Sequence, residues 1–126
     1  MKSTFIREER ALSKKVINNI CESGYYIQNG YFKIKWLNSN FNDPKIRLLI
    51  SVPKKKISKA VDRNYIKRII RESYKLNKHF IYKLFKNPLD IILTYNKSTV
   101  PKFNKLDTEL LTLFELMSKK KNEVVK

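Results

Sequence analysis

Apolar residues recur along the chain at two distinct periods. In KKVINNICES, Val16, Ile17, Ile20 and Cys21 repeat at helical spacing, with Ser13 placed as an N-cap and Gly24 as a stop, which predicts a first helix. From Tyr25 the period falls to two. YFKIKWL alternates strictly, with Phe32, Ile34 and Trp36 on one face and Tyr31, Lys33 and Lys35 on the other, which predicts a strand. A short strand is predicted before it, from Tyr25 to Ile27. NSNFNDP is a turn-rich loop, after which KIRLLISV sends Ile46, Leu48, Ile50 and Val52 to one side as a third strand.

Pro53 and the lysines Lys54, Lys55 and Lys56 break the alternation. Helical spacing returns in AVDRNYIKRIIRESYKLNK, Ala60 to Lys78, with Ser58 placed as its N-cap. At about 100° per residue, Ile66, Ile69, Ile70 and Ser73 share one arc, with Leu76 at its edge. The opposite arc collects Arg63, Lys67, Arg68, Arg71, Lys75 and Lys78. LDIILTY is a short apolar run that suits a buried strand, and Asn104 with Asp107 is placed as an N-cap pair for a last helix. Leu106, Leu110, Leu113, Phe114 and Met117 fall on the inner side of that helix. The predicted order is α-β-β-β-α-β-α, an α+β fold with helices packed on one small sheet.

A chain of 126 residues that is 42% hydrophobic can bury one modest core, so residues 1–126 are expected to form a single domain, with a flexible basic tail from about residue 119. Lys and Arg total 28 against 11 Asp and Glu, a formal charge of +17. Such an excess repels itself in the compact state and calls for an anionic partner, nucleic acid first and an acidic membrane surface second. No apolar run approaches the roughly 20 residues that cross a bilayer, and MKSTFIREER lacks the apolar stretch of a secretory signal. A cytoplasmic location is therefore expected. The single cysteine, Cys21, excludes an internal disulfide and a Cys-rich zinc module, and two glycines leave no Gly-rich phosphate loop. With one histidine, His79, and no carboxylates at metal-ligand spacing, neither a catalytic centre nor a metal site is expected in the protein itself.

The cationic arc of the Ala60 to Lys78 helix is the most informative feature. Like charges at i, i+4 spacing cost a few tenths of a kcal/mol for each close pair, and Glu72 alone interrupts the turns that matter. A Lys-rich helix is most often a solvated face, but one with so few interspersed acids points to an external anion. Arg63, Arg68 and Arg71 carry rigid forks that take phosphate oxygens two at a time, and Asn64 can both donate to and accept from a base edge or a 2′-hydroxyl.

SVPKKKISKAVDRNYIKRIIRESYKLNK, preceded by RLLI, closely resembles the signature of the bacterial ribonuclease P protein component, R-N-x-x-K-R-x-x-R-E, with Arg63, Asn64, Lys67, Arg68, Arg71 and Glu72 at the matching positions. The resemblance implies a small ribosomal-protein-like α/β sandwich in which the basic helix joins two parallel strands by a left-handed crossover, the rarer hand. It implies an RNA-binding subunit that assists a catalytic RNA in endonucleolytic removal of the 5′ leader from precursor tRNA. The expected partners are that RNA and the leader, with no obligate protein partner and no membrane. Magnesium is expected in the RNA-containing holoenzyme, with no cofactor held by the protein alone.

Two surfaces carry over. Arg63, Asn64, Lys67, Arg68 and Arg71, with Lys54, Lys55 and Lys75, would dock on the catalytic RNA. A cleft between the first helix and the sheet would take the single-stranded leader, with Ile17, Cys21, Tyr31, Lys33 and Lys35 as its candidate residues. The family's first helix commonly supplies phenylalanines where this chain has Ile17 and Cys21, so both are equally placed to be plain core. Tyr65 stands where the family often has a second arginine, either stacking in its place or packing at the helix edge. The alternatives are a structural ribosomal or other RNA-binding protein of similar fold and, less favoured for want of clustered carboxylates, a protein-only nuclease.

Overall fold

The computed structural model describes residues 12–40 and 44–124, with side chains as far as residue 120. The chain runs α1 (Lys14–Ser23), β1 (Tyr25–Gln28), β2 (Phe32–Asn38), β3 (Ile46–Ser51), α2 (Ala60–Leu76), α3 (Lys78–Lys83), β4 (Leu89–Tyr95) and α4 (Phe103–Val124). This is the predicted order with one addition, the short helix α3. Its signal lies in KHFIYKLF, where Ile81 and Phe85 sit four apart and both are buried.

The strands form one sheet in the order β1-β2-β4-β3. β1 and β2 are an antiparallel hairpin closed by Asn29, whose Oδ1 accepts from the backbone N–H groups of Tyr31 (3.0 Å) and Phe32 (2.9 Å). β2 pairs antiparallel with β4, and β3 pairs parallel with β4. A parallel pair cannot be joined by a tight turn, so α2 and α3 supply the crossover.

Alternation gives the sheet two unlike faces. On one, the register sets Phe32 beside Tyr95, Leu93 between Ile34 and Ile50, and Ile91 between Trp36 and Leu48. Onto that layer α2 lays Ile66, Ile69, Ile70 and Tyr74, and α4 lays Leu106, Leu110, Leu113, Phe114 and Met117, all buried in one cluster. Each such side chain contributes about 1.5–3 kcal/mol on burial, which is what holds two helices to the sheet despite the net charge. Tyr95 is enclosed among them and donates to the Thr99 carbonyl at 2.7 Å; burial, with Tyr31 nearby, pushes its phenol up to about 12.

The other face carries α1. Ser13 caps this helix as predicted, accepting from the Val16 N–H at 3.2 Å. Of the apolar row expected inside, only Ile20 is buried; Val16 and Ile17 are half-buried and Cys21 is exposed. Gly24 ends the helix by closeness rather than by a left-handed turn. Its φ is −72°, and a Cβ there would meet the Ile20 carbonyl oxygen at 2.4 Å and the Trp36 carbonyl oxygen at 3.1 Å.

Three predicted details are corrected. α2 begins after Lys59, not at a Ser58 cap, and its entry is held from the opposite direction: Arg63 Nη1 donates to the carbonyls of Ser58 (2.7 Å) and Ile57 (3.0 Å). Leu76 lies 71% exposed, because the helix stops there and Asn77 turns the chain into α3. Asn104 and Asp107 do not open α4, which starts at Phe103. Asp107 instead accepts from the Ser73 hydroxyl (2.6 Å) and from Asn77 Nδ2 (2.9 Å), which explains a buried serine on an apolar arc. Of the expected basic tail at 119–126, residues to Val124 continue α4, while 125 and 126 lie outside the described residues. The N-terminal MKSTFIREER and the centre of the loop before β3 also lie outside them.

Candidate nucleic-acid interface

The helical repeat places Arg63, Lys67, Arg71 and Lys75 at successive i, i+4 positions, a ridge running the length of α2, with Asn64 and Arg68 beside it. Asn64 and Arg68 are exposed and the four ridge residues are half-buried, with the Nε of Arg71 shielded from solvent. Lys54 and Lys55 stand exposed on the turn that leads into the helix and extend the positive surface past its N-terminus. Lys78, predicted on the same arc, belongs to α3, where its ammonium lies over the Tyr82 ring at 5.6 Å.

The ridge residues are not equivalent. Arg63 spends one nitrogen on the two loop carbonyls and so positions the turn as well as presenting charge. Arg68 lies 3.6 Å from Glu72, with its guanidinium 5.2 Å from the centre of the Tyr65 ring. Both side chains of that ion pair are roughly half exposed, so the pair is worth little and yields readily to a phosphate. Tyr65 is half-buried against the core at the helix edge, with its ring beside the Arg68 guanidinium.

The second surface lies on the α1 side of the sheet. A groove of about 650 Å³ is lined by Cys21 and Gly24 at the end of α1, Tyr26 on β1, Lys33 and Lys35 on β2, and Ile92 and Thr94 on β4. Register explains the grouping: Lys35 stands between Tyr26 and Ile92, and Lys33 stands beside Thr94. Of the five residues assigned to a cleft, Cys21, Lys33 and Lys35 are brought together here.

Tyr31 and Ile17 are not among the groove's walls. The Asn29 turn takes Tyr31 out of the strand alternation, and its half-buried ring sits 6.4 Å from Tyr95 and 6.5 Å from Phe32, with Lys97 4.9 Å over its centre. Ile17 is half-buried on α1, one turn before Cys21. Sequence reasoning missed Tyr26, Ile92 and Thr94. Ile92 and Thr94 could have been found from the alternation of LDIILTY, and Tyr26 only from the hairpin register.

A separate pocket beside α1 holds a buried ion pair. Arg47 Nε and Nη2 donate to the two Asp90 carboxylate oxygens at 2.7 and 2.9 Å, across neighbouring strands and close to Val16, Asn19 and Ile20 of α1. The hydrogen bond to Asp90 raises the Arg47 pKa further, so the guanidinium stays charged and the pair is a structural lock. His79 is exposed on α3. Among the described residues no group of three or more His, Cys, Asp or Glu converges as a metal site, and no helix is long and apolar enough to cross a membrane.

Residues 5–118 match the family model described as Ribonuclease P. The ribonuclease P protein component of Vibrio campbellii is 37% identical over 75 residues, 60% of this chain and 62% of that protein, so the match spans just under two thirds of this relative's length. That of Thermotoga maritima is 29% identical over 107 residues, 85% of this chain and 86% of its own. Among solved structures, the Staphylococcus aureus RNase P protein superposes with a TM-score of 0.70 at 27% identity, covering 86% of this chain and 94% of that one. The Thermotoga maritima RNase P protein gives a TM-score of 0.69 at 26% identity, covering 84% and 94%.

Proposed function

Since the chain belongs to the ribonuclease P protein family, we propose that it is the RNA-binding subunit of a bacterial ribonuclease P, assisting a catalytic RNA in removing the 5′ leader from precursor tRNA. The observation that carries this reading is the pair of unlike cationic surfaces on opposite sides of one sheet. The α2 ridge, with Arg63, Asn64, Lys67, Arg68, Arg71 and Lys75 and the neighbouring Lys54 and Lys55, docks on the catalytic RNA. The groove between α1 and the sheet receives the single-stranded leader along Lys33 and Lys35.

The protein's part is electrostatic and positional. Two polyanions, ribozyme and substrate, repel each other; a subunit of charge +17 placed between them relieves that repulsion and releases counterions from both. Arginine forks on a rigid helix offer phosphate oxygens a fixed geometry, while the shallow groove keeps an unpaired strand extended. Bond cleavage belongs to the RNA and its magnesium ions, which the protein helps to retain by reducing the charge around them. The holoenzyme acts in the cytoplasm without a further obligate protein.

The test is cleavage of precursor tRNA at low magnesium by a bacterial ribonuclease P RNA, with and without the protein, beside protein alone. Stimulation that requires the RNA is expected. Stable RNA binding without stimulation would reduce the function to that of a structural RNA-binding protein, and cleavage by the protein alone would reverse the division of labour.

A further inference from the structure

The groove has cations in two adjacent places but takes no aromatic ring from α1, where Cys21 reaches its wall. A single strand offers two things to grip, phosphates and unstacked bases, and lysines satisfy only the first. The ring that lines this groove comes from the edge strand β1. Tyr26 is 41% exposed, stands directly across from Lys35 in the β1–β2 register and shares the groove with Lys33.

Its placement is fixed at both ends. The phenol hydroxyl donates to Gln28 Oε1, two residues along on the same face of the strand, and the backbone carbonyl accepts from Lys120 Nζ of α4 at 2.9 Å. A held ring with an open face beside a lysine is what base stacking next to a phosphate contact requires. The neighbouring Tyr25 is excluded from this role, because alternation turns it to the opposite face of the sheet, where its ring lies 5.6 Å from Trp36.

We infer that Tyr26 is the stacking platform for one base of the single-stranded leader, with Lys35 and Lys33 on the adjoining phosphates, so that the edge strand does in this chain what α1 does not. This inference rests on the proposed leader-binding role of the groove and assigns a positioning residue within it. The position of the platform selects which leader nucleotide is gripped, and purines stack more strongly than pyrimidines.

The experiment is equilibrium binding of precursor tRNA by the reconstituted holoenzyme. The substrates carry a leader in which single nucleotides are replaced one at a time by abasic residues, and a control with a one-nucleotide leader. For the wild-type protein one abasic position should stand out, weakening binding about tenfold by the usual worth of a stacked base. Y26A should lose about the same affinity for the intact leader, become insensitive to that abasic position and bind the short-leader control as wild type does. Y26F, which keeps the ring, should retain the wild-type abasic profile. If Y26A keeps the wild-type profile while K33A/K35A weakens leader-dependent binding, the platform is overturned and the groove reading stands. If neither variant changes leader-dependent binding, the groove reading falls and the platform with it.

Discussion

The ridge and the groove are both cationic, yet they are built in opposite ways. The ridge is one helix whose functional side chains are near neighbours in sequence, convex and set by the 3.6-residue repeat. The groove is concave and takes its walls from α1, β1, β2 and β4, with no two lining residues adjacent in the chain. A helix face requires only that the helix form and dock. A groove requires that register, helix position and hairpin turn all be right at once, so the two surfaces should respond differently to damage in the shared scaffold.

The largest expected effect comes from the scaffold beside α1, the helix whose end walls the groove. Arg47→Ala would strand the buried Asp90 carboxylate and should cost about 3–5 kcal/mol of stability. A thermal or denaturant melt reads this directly, and a decrease below about 1 kcal/mol would mean the site relaxes and hydrates without its lock. A more selective break is Gly24→Ala. A Cβ there would stand 2.4 Å from the Ile20 carbonyl oxygen in the last turn of α1 and 3.1 Å from the Trp36 carbonyl oxygen of β2, so the junction between α1 and the sheet must shift. The overpacking should cost about 1–3 kcal/mol and deform the groove while sparing α2. Affinity for the ribozyme alone should then stay near wild type while leader-dependent affinity falls; equal decreases in both would mean that the two surfaces are mechanically coupled.

The smallest effect on the fold is expected from Arg68→Ala combined with Arg71→Ala. The melt should change little, while ribozyme affinity drops and its logarithmic salt dependence becomes shallower by about one unit for each phosphate that the helix no longer neutralises. An unchanged slope would remove these two arginines from the phosphate-binding set. Together the three measurements separate damage to the scaffold, to the concave surface and to the convex one.

The same contrast explains how much can be read from the sequence. Ile66, Ile69 and Ile70 announce a buried arc because local periodicity suffices, and the cations opposite them follow by geometry. The alternation of Phe32, Ile34 and Trp36 likewise places β2 and leaves Lys33 and Lys35 facing away from the core. Periodicity misplaces Tyr31 because one asparagine side chain decides where β2 begins. Asp107 looks like a cap by local spacing, whereas its partners Ser73 and Asn77 lie 34 and 30 residues away in the chain. Tyr26 is invisible for the same reason, since its role depends on a partner strand and on the far end of α4.

The hydrogen bond between Lys120 and the Tyr26 carbonyl also bears on how this protein keeps to itself. β1 is an outer strand, and an outer strand with open backbone groups is a template on which another copy can add its own. Here an ammonium group from the last helix occupies that carbonyl, placing a positive charge where a second copy would have to approach. Any molecule that docked edge to edge would have to displace it and bury it. The tether that steadies one tyrosine is thus also a guard against aggregation, set on an open border of the sheet.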